Sequence, residues 1–338
     1  MYYYSVDHRL AASLLPDLPF PSAEAGQPEL FLLRRNNATC RAVFRVTDSR
    51  QLTAVGESVF WLDHSRIPAE APALPSEITD AITAGTLTAV DIGHPRWQSA
   101  LSFLTPKAGK KRVHLLAVGD VGGTLLTALK LLGGDCISSI GICDLNENTV
   151  ARWCTEMGQI AWPWDYDALP SVEAVSGEQL FDCDVFIFAA TRSIPAVGSS
   201  IRDVRMAQFD ANRPLVENFA RQARKANFSG LFMVLSDPID PLCKAAWLAS
   251  NHNEDGVFDN LGLLPEQVQG YGLGVMNARA AYFSKRDDRF ASFLTEGRSF
   301  GPHGRGLVIA NSIDHYDDAL SRELTELVET EAGASGRL

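Results

Sequence analysis

Apolar and polar positions alternate in two different rhythms along this chain. Before residue 108, short apolar and aromatic runs stand between polar turns. Leu30–Leu33, Ala42–Val46 and Ser58–Leu62 read as strands, being rich in branched and aromatic residues. A Pro/Ala-rich loop follows near Ile67 to Pro75. Ser76 is then expected to cap a helix that carries Glu77 in its first turn. The segment from Thr105 to Arg112 is polar and basic, with a Pro and a Gly, and reads as a turn between domains.

Beyond it the rhythm changes. Val113–Val118 is apolar almost throughout, as a strand buried on both faces would be. Thr124–Leu132 has helical period, and Ile137–Cys143 reads as a second strand. Asp184–Ala189 and Gly230–Leu235 read as two more, with a polar-faced helix over about residues 203–227 between them. An acidic amphipathic helix spans roughly Tyr316–Thr330. Strands alternating with helices predict a parallel sheet with right-handed crossovers. The fold class expected is therefore α/β: a doubly wound parallel sheet with an additional mixed α/β domain. The expected boundaries are 1–108 for the mixed domain, 109–250 for the doubly wound domain, and 251–338 for a catalytic segment packing with the first.

Bulk properties narrow the partners. A net charge of −11 is a poor match to nucleic acid or to an anionic membrane. No apolar run approaches the roughly 20 residues that span a bilayer. The opening residues carry no basic region ahead of an apolar stretch, so no signal peptide is expected. The six cysteines are scattered without a C-x-x-C pair, which points away from zinc or a disulfide framework and towards the reducing cytoplasm. No metal site is expected.

The first apolar strand of the middle domain runs directly into Ala117-Val118-Gly119-Asp120-Val121-Gly122-Gly123, and a helix follows. A glycine at 119 lets backbone approach a diphosphate, and one at 122 lets helix and strand pack closely. The helix N-terminus then turns its free N–H groups towards the phosphates. Ala117 stands where this turn usually has its first glycine. Asp144 ends the next strand about 20 residues on, where a carboxylate accepts from ribose hydroxyls and repels a 2′-phosphate. The pattern predicts a Rossmann-like domain that binds NAD in preference to NADP, with Gly119, Asp120, Val121, Gly122, Asp144, Ala189 and Ala190 around the cofactor.

Later segments follow in a telling order: Asp182 to Ala190, Arg202 to Asn212, Val234 to Asp240, Gly262 to Gly272, Ala278-Arg279, and Gly301-Pro302-His303-Gly304. In order and spacing, about residues 112–312 resemble the lactate/malate dehydrogenase family. The resemblance implies that His303 is the catalytic acid/base. Imidazole suits the role because both of its forms are populated near neutral pH. It implies that Arg279 grips a substrate carboxylate through its planar fork, with Asn277 beside it. It further implies that Arg205 polarises the reacting carbonyl when a loop closes, with Arg202 one turn earlier able to serve instead. The implied partners are a small carboxylate substrate and further copies of the chain in a homo-oligomer.

Four departures from the family pattern shape the expectation. Met276 stands where the family has the aspartate that orients the histidine. Asp237-Pro238 replaces an Asn-Pro near the nicotinamide, so Asp237 could partner the histidine or meet a positively charged substrate nitrogen. The stretch Thr191–Arg205 is longer than a compact specificity loop, which implies a substrate larger than pyruvate. Little chain follows His303, whereas residues 1–108 precede the domain and could complete the catalytic lobe in place of a tail. Three functions are compatible with these features. One is a hydride transfer between NAD(H) and a 2-oxo/2-hydroxy acid. Another is an imino-acid or opine-type reduction on the same scaffold, and the last is an idle NAD-binding protein.

Overall fold

The computed structural model describes residues 1–35, 40–103, 105, 108–192, 204–302 and 306–334. The chain packs as two units. One comprises Met1–Ala108, Ala223–Ser229 and Ser250–Gln267; the other comprises Gly109–Gln222, Gly230–Ala249 and Val268–Leu338. Residues 251–267 and 268–338, read together as one segment in the sequence, thus fall in different units.

The first unit is built on strands β1 (Tyr2–Val6), β2 (Arg9–Ser13), β3 (Leu30–Leu33), β4 (Val43–Arg45) and β5 (Thr88–Asp91), with helices α1 (Ser76–Thr83) and α2 (Trp97–Phe103). Among the described residues the sheet order is β1-β2-β3-β5-β4. Strands β2, β3 and β5 run parallel, while β1 and β4 are antiparallel edges. Alternation along β3 explains the layering. Leu30 and Leu32 face a core shared with Ala100 and Leu101 of α2. Phe31 and Leu33 face the opposite core with Ile78 and Ala81 of α1. The sheet is therefore covered by a helix on each face.

Two local readings of this unit are corrected. Ser58–Leu62 is no strand: Val59–Leu62 forms a 3-10 turn because the Ser58 side chain accepts from the Phe60 N–H. Val59, Phe60 and Leu62 stay exposed, Leu62 at 91%, while Trp61 packs against the core. Ser76 is the first residue of α1 rather than its cap; Pro75 holds the cap position and supplies no side-chain bond. The opening residues form a hairpin through Asp7 and His8, both at positive φ. That is the twist a two-residue turn needs, made here without the usual Asn-Gly.

The second unit holds, save residues 223–225 and 250, β6 (Lys111–Leu116), α3 (Asp120–Leu132), β7 (Ile137–Cys143), α4 (Glu147–Gly158), β8 (Ser171–Ala174), β9 (Val185–Phe188), helix α5 (Val204–Lys225), β10 (Leu231–Val234), helix α6 (Ile239–Ser250) and β11 (Val268–Gly270). Among the described residues its sheet has the order β11-β10-β9-β6-β7-β8, parallel throughout. Numbered within the unit, that is the doubly wound order, with its switch point between β6 and β9. Val113, Leu115 and Ile187 pack on Leu126 of α3 and on Val150 and Met157 of α4. On the other face, Phe186 and Phe188 lie 6.3 and 6.1 Å from Phe219 of α5, and Phe232 lies 4.8 Å from Phe186. The chain goes on through α7 (Leu273–Ser284), α8 (Phe293–Glu296), the antiparallel pair β12 (Arg298–Phe300) and β13 (Val308–Ala310), and α9 (Asp318–Ala334). Helices α7, α8 and α9 and strand β13 share a separate apolar cluster. No helix among the described residues is long and apolar enough to cross a membrane.

Phe232 is fully buried at the centre of the aromatic layer. Phe232→Ala is expected to cost about 3–5 kcal/mol, read from urea unfolding. A loss within about 0.5 kcal/mol would mean that this layer does not hold the sheet.

Candidate functional site

The carboxyl ends of β6, β7, β9 and β10 meet around the turn Ala117–Gly123. The turn is set by one close approach. A Cβ built on Gly122 would stand 2.0 Å from the Ala117 carbonyl oxygen, so only glycine lets α3 start there. Ala117 is held at φ 70°, in the left-handed region. An L-residue pays strain there, of the order of 1–2 kcal/mol, which is why the position usually belongs to glycine. Gly123 lies against Trp153 of α4; a Cβ on it would be 2.4 Å from the indole. The Trp153 N–H donates to the Val118 carbonyl at 3.0 Å, fixing the turn from its outer side.

Gly119 differs from both. A Cβ there would meet nothing within 4 Å. It is also the N-cap of α3, and no side chain caps that helix. The orphan N–H groups of the first turn therefore face a cleft of about 480 Å³ lined by Gly119, Asp120, Thr124, Arg152 and Trp153, among others. Helix α4, by contrast, is closed by the Asn146 side chain, which accepts from the Asn148 and Thr149 N–H groups.

Asp144 follows β7 and reaches across to the same turn. Its Oδ2 accepts from the Val118 N–H at 2.9 Å and its Oδ1 from the Asn146 N–H at 3.0 Å. The carboxylate thus aligns the turn, and each oxygen keeps a further lone pair beyond the bond it accepts here. Beside it, the Cys143 thiol is pushed up, first by burial and then by the Asp144 charge, which keeps it protonated.

Ala189 completes the approach, its Cβ lying 3.7 Å from the position a Gly122 Cβ would take. Ala190 accepts from the Ser236 hydroxyl at 2.7 Å, tying the end of β9 to the end of β10. A second tie went unread in the sequence. Asn212 of α5 is buried; its Oδ1 accepts from the Arg192 N–H at 2.8 Å and its Nδ2 donates to the Asp237 carbonyl at 2.9 Å. One amide thereby joins the start of the long 191–205 stretch to Asp237. A polar residue on the inward stripe of a helix was the available signal.

Val121 is 62% exposed at the first turn of α3. Arg205 lies in the first turn of α5, on the surface. The Tyr271 N–H bonds the Val234 carbonyl, so α7 starts from the same edge of the sheet. Asn277, on the surface of α7, accepts from the Ser299 hydroxyl at 3.3 Å. The Arg279 guanidinium lies 3.9 Å from the Met276 sulfur, and Met276 is itself buried in the apolar cluster. His303 and Arg202 lie outside the described residues. Among the described residues no cluster of three or more metal-ligating side chains occurs.

No protein-family model matches the chain. Over 198 residues it is 22% identical to a malate dehydrogenase of Aliarcobacter butzleri, covering 59% of this chain and 57% of that protein. Over 195 residues it is 24% identical to an L-lactate dehydrogenase of Treponema denticola, covering 58% and 55%. The chain thus spans little more than half the length of these curated relatives. Among solved structures, a minor L-lactate dehydrogenase from Enterococcus mundtii superposes with a TM-score of 0.51 at 19% identity, over 67% of this chain and 70% of that one. The malate dehydrogenase from Picrophilus torridus gives 0.50 at 16% identity, over 67% and 68%. The fold is theirs, and the sequence homology is weak but consistent.

Gly122→Ala is expected to destabilise the protein by about 3 kcal/mol or more, because the new methyl runs into the Ala117 carbonyl, which is backbone and cannot swing away. A thermal unfolding midpoint equal to that of the parent would show that the helix does not approach the strand as described.

Proposed function

We propose that this distant homologue of malate and lactate dehydrogenases is an NAD-dependent oxidoreductase acting on a 2-oxo/2-hydroxy acid larger than pyruvate. One observation carries the reading: an uncapped helix N-terminus over an open glycine, beside a carboxylate that ends the next strand, at the switch point of a doubly wound sheet. The residues present fit a dinucleotide. The space over Gly119 is what a side chain would fill, and the first-turn N–H groups of α3 suit a diphosphate. The free lone pairs of Asp144 suit ribose hydroxyls and oppose a 2′-phosphate. When bound, the nicotinamide would exchange hydride with the substrate carbon.

The chain's own residues would do the rest. Arg279 would hold the substrate carboxylate by two parallel N–H bonds, which sets orientation as well as charge. His303 would donate a proton to the carbonyl oxygen during reduction and take it back during oxidation. Its assignment rests on the order of motifs in the sequence. Arg205 would stabilise the charge that grows on that oxygen, with Arg202 as the neighbouring cation. Asn212 would keep Asp237 and the start of the 191–205 stretch in register. The cytoplasm and a homo-oligomeric state are part of the same reading.

A second reading is favoured by one pair of residues. Met276 is packed in an apolar cluster and offers an imidazole no acceptor oxygen, while Asp237 puts a carboxylate where an amide is expected. A protonated imine carries its own positive charge, so an imino-acid reductase would gain from Asp237 and need the histidine less. NADH oxidation with keto acid alone, against keto acid plus amine, separates the two. Turnover of neither would leave a protein that binds NADH without chemistry.

Two variants test the proposal. Gly119→Val enters open space at φ −71° and should leave the unfolding midpoint unchanged while abolishing NADH binding, followed by fluorescence. Unaltered NADH affinity would remove the glycine turn from the cofactor site. His303→Ala should lower kcat by about 100-fold or more and spare NADH affinity, the usual scale for a lost general acid. Equal kcat in variant and parent would take His303 out of the mechanism.

A further inference from the structure

The first unit contains a cation that its own packing does not neutralise. Arg35 follows β3 directly and is only 8% exposed. Its guanidinium lies 4.5 Å from the centre of the Phe44 ring and 5.0 Å from that of Trp61. Nη2 donates to the Gln51 carbonyl at 3.2 Å. Among the described residues, its Nε and Nη1 have no acceptor, and neither does the indole Nε1 of Trp61. Three buried N–H donors thus stand around one charged group. A buried donor left unbonded is costly to the fold.

The carboxylates nearby bond other groups. Asp91, at the end of β5, uses Oδ1 to accept from the backbone N–H groups of Arg35 and Gly93, at 3.1 and 2.9 Å. Glu57 is held by Arg41, whose Nε meets Oε1 at 2.6 Å and whose backbone N–H meets Oε2 at 3.0 Å. Neither forms an ion pair with the Arg35 guanidinium. Burial accordingly pushes the Arg35 pKa down, more strongly than the charges of Cys40, Glu57 and Asp91 and a hydrogen bond to the Cys40 side chain push it up. The position also has meaning in the fold. Strands β3 and β5 are parallel neighbours, and ligands of parallel sheets bind beyond the carboxyl ends of the strands. His94, just past β5, is buried there too; its Nδ1 accepts from the Arg96 N–H at 3.1 Å.

We infer that the carboxyl ends of β3 and β5 form a second ligand site, in which Arg35 and the Trp61 N–H bind the oxyanion of a small acid. The oxyanion supplies both the missing acceptors and the missing negative charge. The two aromatic rings exclude water and so strengthen that attraction. This site belongs to the first unit alone and is independent of the glycine turn.

The experiment uses the full chain labelled with 5-fluorotryptophan and titrated with acetate and, separately, inorganic phosphate, without NADH. The six tryptophans give separate fluorine signals, and Trp61→Phe identifies the one that matters. The Trp61 signal should move saturably at millimolar anion. Acetate acting alone points to a carboxylate ligand, and phosphate acting alone to a phosphorylated one; either supports the site. Arg35→Lys keeps a cation but loses the Nε and Nη1 donors, and should weaken the effect about tenfold or more. A Trp61 signal unmoved by both anions in the parent protein overturns the inference, whether or not the variant folds. An equal response in parent and Arg35→Lys overturns it as well. NADH binding, measured in the same sample, reports on the other unit and so fails or succeeds separately.

Discussion

The contact between Gly122 and the Ala117 carbonyl governs the doubly wound unit. Helix α3 can begin directly over strand β6 only because no side chain stands at 122, and the strand must turn sharply to meet it. Ala117 takes up that turn at positive φ. A glycine there would relieve the strain; the alanine is kept in place by what surrounds it. Asp144 and Trp153 hold the two sides of Val118, through its N–H and its carbonyl. A strained residue persists when its neighbours over-determine it, and here two side chains from adjacent elements do so.

From this contact the geometry of the cleft follows. With α3 seated so close, its N-terminus opens at the carboxyl edge of the sheet. The ends of β9 and β10 are locked beside it by Ser236 and Asn212. Three glycines in one turn have three separate duties: Gly122 admits the strand, Gly123 admits the Trp153 ring, and Gly119 admits nothing from the protein itself. The last is the one the proposed cofactor site uses, because emptiness over an uncapped helix end is a property a ligand can use.

The first unit poses a complementary problem. Its small sheet is mostly parallel, with a helix on each face, and it too concentrates charge beyond its strand ends. There the charge is buried between aromatic rings rather than spread on a surface. A buried guanidinium is tolerated when its donors are bonded and its charge is matched. Within the described residues only part of that requirement is met.

The sequence alone determined the doubly wound unit almost entirely. Continuous apolar runs such as Val113–Val118 and Ile137–Cys143 can be satisfied only by burial on both faces, and the glycine spacing reports a backbone requirement that no side chain can imitate. The positions of Gly119, Gly122 and Asp144 were legible for the same reason. Tertiary structure decided the rest. The apolar stretch Ser58–Leu62 looked like a strand, yet a serine hydroxyl closed it into a turn, because local hydrogen bonding wins where no neighbouring strand offers a ladder. Asn212 and Trp153 were illegible because their partners, Arg192, Asp237 and Val118, lie on other elements. Nothing in the sequence marks Arg35; only packing shows that it is enclosed, since burial is a property of what the rest of the chain places around a residue and not of the residue itself.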